Sequence, residues 1–278
     1  MRARSDRLYR LLTGLSAALC AAILLLLAGW LNAAALPALQ RPSALLSRVW
    51  EPLGGHFGIL PMLLSSLFTA AGAVLLASPA ALGASLLFAR FCHPIAAEMF
   101  FTVNRVLSGL PSVLYGLIGM TCLVPLIDRR LTHGTAAGGG AGGLAAVLVL
   151  ALMLLPVLVA GYGEMLRAVP RELLEASAAL GATGPQTAFC CLLPAVGRIR
   201  RIHSANAFRR ALGEATAVLL VSGNVVRMPS LFSPMRTLAG TVVLEMGYAG
   251  GAHRSALFAI GLVLLAVTLT LPGGQVTK

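Results

Sequence analysis

The chain is poor in charge. Of its 278 residues only 11% are Asp, Glu, Lys or Arg, while 58% are hydrophobic, and the mean hydropathy is +0.88. A soluble domain carries about 25% charged residues, so this chain has too few to cover a water-facing surface. That excludes an ordinary soluble enzyme, a disordered tail and a fibrous repeat. Lysine is almost absent: among 21 basic residues only Lys278 is one, and the rest are arginines. Without an internal lysine there is no phosphate-binding G-x-x-x-x-G-K-[ST] loop and no Schiff-base nucleophile. The chain therefore does not hydrolyse ATP through a loop of its own. Five cysteines stand at 20, 92, 122, 190 and 191, none in C-x-x-C spacing, so they read as small apolar packing residues and not as a disulfide framework or zinc site. There is no H-E-x-x-H and no G-x-S-x-G, and the five histidines are scattered. Neither a metal centre nor a hydrolase triad has support, and no cofactor is implied.

What the chain has instead is long apolar runs. Six can cross a bilayer of about 30 Å, which takes roughly 20 helical residues: Leu11–Ala35, Met62–Phe88, Phe100–Leu126, Leu144–Leu166, Ser204–Gly223 and Ala256–Leu271. The fifth is only moderately apolar and the sixth is short. Residues 1–10 form a basic N-terminal segment before the first span. The first run exceeds the ~7–15 residues of a signal core and reads as an uncleaved span. Pro79, Pro111 and Pro156 fall inside spans, where neighbouring helices can satisfy the carbonyls they free. Pro111 in particular should bend the third span and free a carbonyl near Leu107. Gly109, Ser112 and Gly116 beside it are small enough for close helix approach.

The net charge of +12 suits a positive-inside bias of membrane loops better than a nucleic-acid surface. With the N-terminus in the cytoplasm, Arg2, Arg4, Arg7 and Arg10 and the group Arg198, Arg200 and Arg201 fall on the inner side. That predicts cytoplasmic N- and C-termini. The glycine-rich stretch Gly134–Gly143 contains G-x-G-x-x-G at Gly138, Gly140 and Gly143. No strand precedes it, so it reads as a flexible external linker and not as a dinucleotide site.

The longest polar interruption, residues 164–203, is predicted to lie in the cytoplasm. Pro170 suits the first turn of a helix; Arg171 and Glu172 follow it, and Leu173, Leu174, Ala178 and Leu180 make a short apolar side. Gly181 is a natural stop. A helix of about three turns with a mixed face can plug a groove on another protein.

Here the sequence resembles the permeases of binding-protein-dependent ABC importers. These carry a cytoplasmic motif E-A-A, three residues, G, nine residues, I-x-L-P. This chain reads Glu175-Ala176-Ser177, then Gly181, then Cys191-Leu192-Leu193-Pro194. Ser177 stands for the second alanine and Cys191 for the isoleucine. Two further stretches resemble phosphate importer permeases of the Pst type: Gly109-Leu-Pro-Ser-Val-Leu-Tyr-Gly116 and Arg210-Ala-Leu-Gly-Glu214 with the following Ala-Thr-Ala-Val. The Ser222-Gly-Asn224 ending and Glu245-Met-Gly-Tyr248 are more PstC-like than PstA-like.

The resemblance implies an all-α integral membrane protein of the type I ABC importer permease fold, with a five-helix permease core over residues 62–272. It implies a coupling helix carried by Pro170, Glu175, Ala176, Gly181, Leu193 and Pro194. It also implies transport with no catalysis by this chain, in the bacterial inner membrane. The implied partners are a second permease subunit, a cytoplasmic ATPase dimer and a periplasmic phosphate-binding protein. The expected substrate is inorganic phosphate. The alternatives are another oxyanion such as tungstate or sulfate and, more remotely, a membrane enzyme.

The residues expected to face the substrate are Arg210, Glu214, Ser112 and Tyr115. Arg210 and Glu214 stand four apart, so one continuous helix would place them on one face as a pair. An ionisable side chain within a span marks a pathway or a buried partner. Arg209 points some 100° away and is expected to snorkel toward the interface.

Overall fold

The computed structural model describes residues 2–40, 42–132 and 139–271. Part of the glycine-rich linker, residue 272 at the end of the predicted core and Lys278 lie outside the described residues.

The described residues are almost wholly helical. The first helix, α1 (Arg2–Leu39), is followed by a short hairpin whose strands Trp50–Glu51 and His56–Phe57 pair antiparallel. Then come α2 (Leu60–Arg90), α3 (Pro94–Ser108), α4 (Ser112–Leu131) and α5 (Gly143–Arg167). The polar loop supplies α6 (Arg171–Ala179) and a helical segment over 184–195. The chain ends in α7 (Gly197–Leu212), α8 (Thr216–Val221), α9 (Leu238–Glu245) and α10 (Gly251–Thr270).

Five helical stretches are long and apolar enough to cross a membrane: Tyr9–Leu39, Leu60–Arg90, Ser112–Leu131, Gly143–Arg167 and Gly251–Thr270. They match five of the six predicted spans, with two changes. The third span, expected over Phe100–Leu126, is two helices, α3 and α4, parted at Gly109–Pro111. The cause is Pro111, which has no N–H to continue the ladder and sits in extended conformation at φ −57°, ψ 138°. The fifth span, expected as one helix over Ser204–Gly223, is also two, α7 and α8, parted at Gly213–Ala215. Together they still run the length of the bundle. At one end His203 packs against Gly161 of α5, and at the other the Gly142 N–H donates to the Val221 carbonyl at 3.0 Å.

The core forms around α2 and α5. Ala70, Ala73, Ala77 and Ala81 make a small-residue stripe on α2, and Leu150, Leu154, Leu158 and Tyr162 fill it from α5. Small side chains let two backbones approach closely where lipid offers no hydrophobic drive. In contrast, α1 is exposed along most of its length and packs against α10, with Trp30 edge-on to Phe258 at 5.0 Å. Apolar exposure on that scale is what a lipid-facing helix requires.

Candidate functional site

The two helix breaks lie side by side. Gly116 of α4 touches α8: a Cβ built there would stand 2.9 Å from the Ala217 Cα and 2.8 Å from a Leu220 methyl. Only glycine fits at that distance, so Gly116 sets the approach of the two broken crossings. Gly109, expected to share this role, meets nothing but its own helix. Irregular backbone at membrane depth is tolerated where it lines a cavity or is buried in protein.

Each break is stitched by a side chain that the sequence had marked. Pro111 cannot supply the Leu107 carbonyl with its i+4 donor; the Leu110 N–H donates to it at 3.1 Å and the Tyr115 hydroxyl at 3.0 Å. Ser112 is half-buried at the first position of α4. Arg210 lies in the last turn of α7 with its side chain exposed. So Arg210 stands just before one break and Tyr115 just after the other, on crossings that touch at Gly116.

The expected Arg210–Glu214 pair does not form. The helix ends at Leu212, so the two residues no longer share a helical face. Glu214 instead accepts from the Ala217 N–H at 3.1 Å and caps α8, the favourable place for a carboxylate at a helix N-terminus. Arg209 reaches the end of a neighbouring helix. It is half-buried, and its guanidinium donates to the Leu271 carbonyl at the end of α10.

At the loop, the helix begins after Pro170 and runs over Arg171–Ala179. Gly181 adopts φ +78°, a left-handed stop that glycine takes without cost. Pro170, Glu175, Ala176, Gly181 and Pro194 are exposed and Leu193 is half-buried, with Leu180 almost fully exposed at 89%. The buried member is Ser177, whose hydroxyl meets Thr187 Oγ1 at 2.9 Å and so holds α6 to the segment behind it. The loop thus presents one end of the bundle with a braced helix whose outer face is free.

One cluster was not foreseen. At the opposite end, the Glu245 carboxylate is buried and takes three partners. Arg236 Nη1 lies 2.6 Å from Oε1, His253 Nε2 lies 2.8 Å from Oε2, and the Trp50 indole donates to Oε2 at 3.0 Å. Arg236 Nε also donates to the Asn224 carbonyl at 2.9 Å. The network joins the hairpin, the 222–236 loop, α9 and α10. A second, part-buried set, Ser78, Tyr162 and Ser204, ties α2, α5 and α7 through hydroxyl contacts of 2.7–3.2 Å.

This architecture, with membrane-crossing helices, two facing breaks and an exposed loop helix, is that of a transport permease subunit. The chain belongs to the family of binding-protein-dependent transport system inner membrane components, which it matches over residues 81–275. Among its relatives is the phosphate transport system permease protein PstC of Xylella fastidiosa (strain Temecula1 / ATCC 700964). That protein is 32% identical over 287 residues, covering 96% of this chain and 88% of the relative. The probable ABC transporter permease protein YqgH of Bacillus subtilis is 33% identical, covering 79% and 71%. PstC of Haemophilus influenzae is 30% identical, covering 81% and 77%.

Proposed function

We propose that the chain is one of two permease halves of an importer that carries inorganic phosphate inward. ATP is hydrolysed by a separate cytoplasmic dimer docked on α6, and substrate is delivered by a periplasmic phosphate-binding protein. The N- and C-termini are cytoplasmic, which puts the loop helix on the ATPase side and the Glu245 network on the delivery side. The observation that carries this reading is Arg210, exposed in the last turn of α7 beside its break and in no ion pair with another described residue. A guanidinium that no carboxylate among the described residues neutralises offers a planar, permanently charged fork to an oxyanion. The Ser112 hydroxyl, at the start of α4 on the neighbouring crossing, adds a neutral donor, while the Tyr115 proton is committed to the Leu107 carbonyl. The names of the relatives favour phosphate as that oxyanion.

The mechanism follows from the geometry. Glycine and proline breaks leave short rigid helix ends that can tilt without melting a whole crossing. Motion imposed on α6 passes through the Ser177–Thr187 contact into the segment that leads to α7, and so to Arg210. The test is reconstitution of the full chain with its permease, ATPase and binding-protein partners, measuring ATPase activity with phosphate, sulfate or tungstate. Stimulation by phosphate alone is expected. Stimulation by sulfate or tungstate without phosphate would overturn the substrate while keeping the transporter.

A further inference from the structure

We propose a second site on this chain, for the headgroup of an aminophospholipid, at the loop end of the bundle. A cavity of about 420 Å³ opens there between the ends of α2 and α5 and the side of α3. Among its lining residues are Arg105, Arg167, Glu98, Thr102, Phe101 and Phe88. Two apolar helices end beside it, at Arg90 and Arg167, so it stands where the hydrocarbon gives way to headgroups.

Its chemistry is specific. The Arg167 guanidinium lies over the Phe101 ring, 4.1 Å from the centroid, which fixes its plane by cation–π contact. Neither Arg105, Arg167 nor Glu98 forms an ion pair with another described residue. The cavity therefore holds two unneutralised cations and one unneutralised carboxylate. A phosphodiester with an attached ammonium matches both signs at once: the arginines take the phosphate and Glu98 takes the ammonium. A free phosphate ion would meet the same carboxylate as a repulsion. Basic pockets between membrane helices on one leaflet are a recurrent headgroup site.

The neighbouring surface fits the rest of the lipid. Ile95, Met99, Val103 and Val106 stand at helical spacing on α3, and all are at least half exposed. Glu98, Thr102 and Arg105 run alongside on the cavity face. Acyl chains lying along the apolar stripe would bring a headgroup to the cavity mouth.

The test is lipid retention by the assembled transporter in detergent, followed by native mass spectrometry. It is offered phosphatidylethanolamine, phosphatidylglycerol or phosphatidylcholine, or inorganic phosphate alone. Phosphatidylethanolamine should be retained in preference to the other two lipids. Arg105→Gln and Arg167→Gln should each cut retention about tenfold, the loss of one charge-assisted contact. Glu98→Gln should bring phosphatidylethanolamine down to the level of phosphatidylglycerol. If the glutamine variants fail to assemble, Arg105→Lys and Arg167→Lys keep the charge and should retain lipid partially. Equal retention of all three lipids, or full retention in the arginine variants, would overturn the proposal. Displacement of phosphatidylethanolamine by inorganic phosphate would overturn it too, and would make the cavity a phosphate site.

Discussion

Ser177 and Cys191, the two positions at which the loop departs from the importer motif, touch each other: the Cys191 thiol donates to the Ser177 hydroxyl at 3.6 Å. The departures are thus one change made twice, a polar contact where the motif places two apolar side chains. Ser177→Ala alone should destabilise by about 1–3 kcal/mol, because Thr187 loses its buried partner. Ser177→Ala with Cys191→Ile should recover part of that loss by apolar packing. A double-mutant cycle on thermal unfolding should give a coupling of roughly 0.5 kcal/mol or more. Strict additivity would mean that the contact does no work.

Gly181 ends the loop helix at φ +78° with nothing within 4 Å of a built Cβ. Space is therefore no obstacle to substitution, but the backbone is. Gly181→Val should cost about 1–2 kcal/mol through the left-handed conformation and misplace the exposed helix end. Phosphate uptake should fall sharply while membrane insertion, read by protease protection, stays normal. Normal uptake in this variant would reduce the loop to a connector.

The Tyr115 hydroxyl shares the Leu107 carbonyl with the Leu110 N–H, taking the place of the i+4 donor that Pro111 lacks. Tyr115→Phe should lower stability by about 1 kcal/mol. In the Pro111→Ala background the helix regains a donor, so the same substitution should cost less. Melting curves of the four proteins measure this directly, and an equal cost in both backgrounds would contradict the account.

Glu245 gathers Arg236, His253 and Trp50 in a buried site. Removing one member of a buried ion pair typically costs about 3–5 kcal/mol, so Glu245→Ala should destabilise on that scale. The chain has two tryptophans. With Trp30→Phe, Trp50 alone reports on the network, and its emission should shift to the red when Glu245 is lost. An unchanged spectrum would show that the indole does not depend on the carboxylate.

How much of this was legible beforehand differs by element. The α2 and α5 crossings were plain because each is a long, mainly apolar run with no charged residue before its last turn. Pro111 announced its own bend and the i+4 donor that the Leu107 carbonyl loses. The break at Gly213 was not read, because a glycine within a helical pattern costs only about 1 kcal/mol, and the spacing of Arg210 and Glu214 suggested an unbroken helix. Tertiary packing decides there: Gly116 lets α8 close on α4, and Glu214 is more useful as a cap than as a partner. The Glu245 network was invisible for a different reason. Trp50, Arg236 and His253 converge on it from three separate segments, at no spacing that a helix or strand would repeat.

The account rests on Arg210, and its neighbour supplies the control. Arg209 is used by the fold, donating to the Leu271 carbonyl, whereas Arg210, in the last turn of the same helix, is exposed and in no ion pair with another described residue. The decisive measurement is phosphate uptake into proteoliposomes by the assembled transporter carrying Arg210→Gln, Arg210→Lys or Arg209→Gln. Arg210→Gln should assemble and melt normally yet lose uptake by about tenfold to a hundredfold, the loss of a charge-assisted contact. Arg210→Lys should fall between that variant and the wild type, since the charge remains and the fork is lost. Arg209→Gln should lower the melting temperature first. Wild-type uptake in Arg210→Gln would contradict the central claim and leave the two breaks as packing features alone.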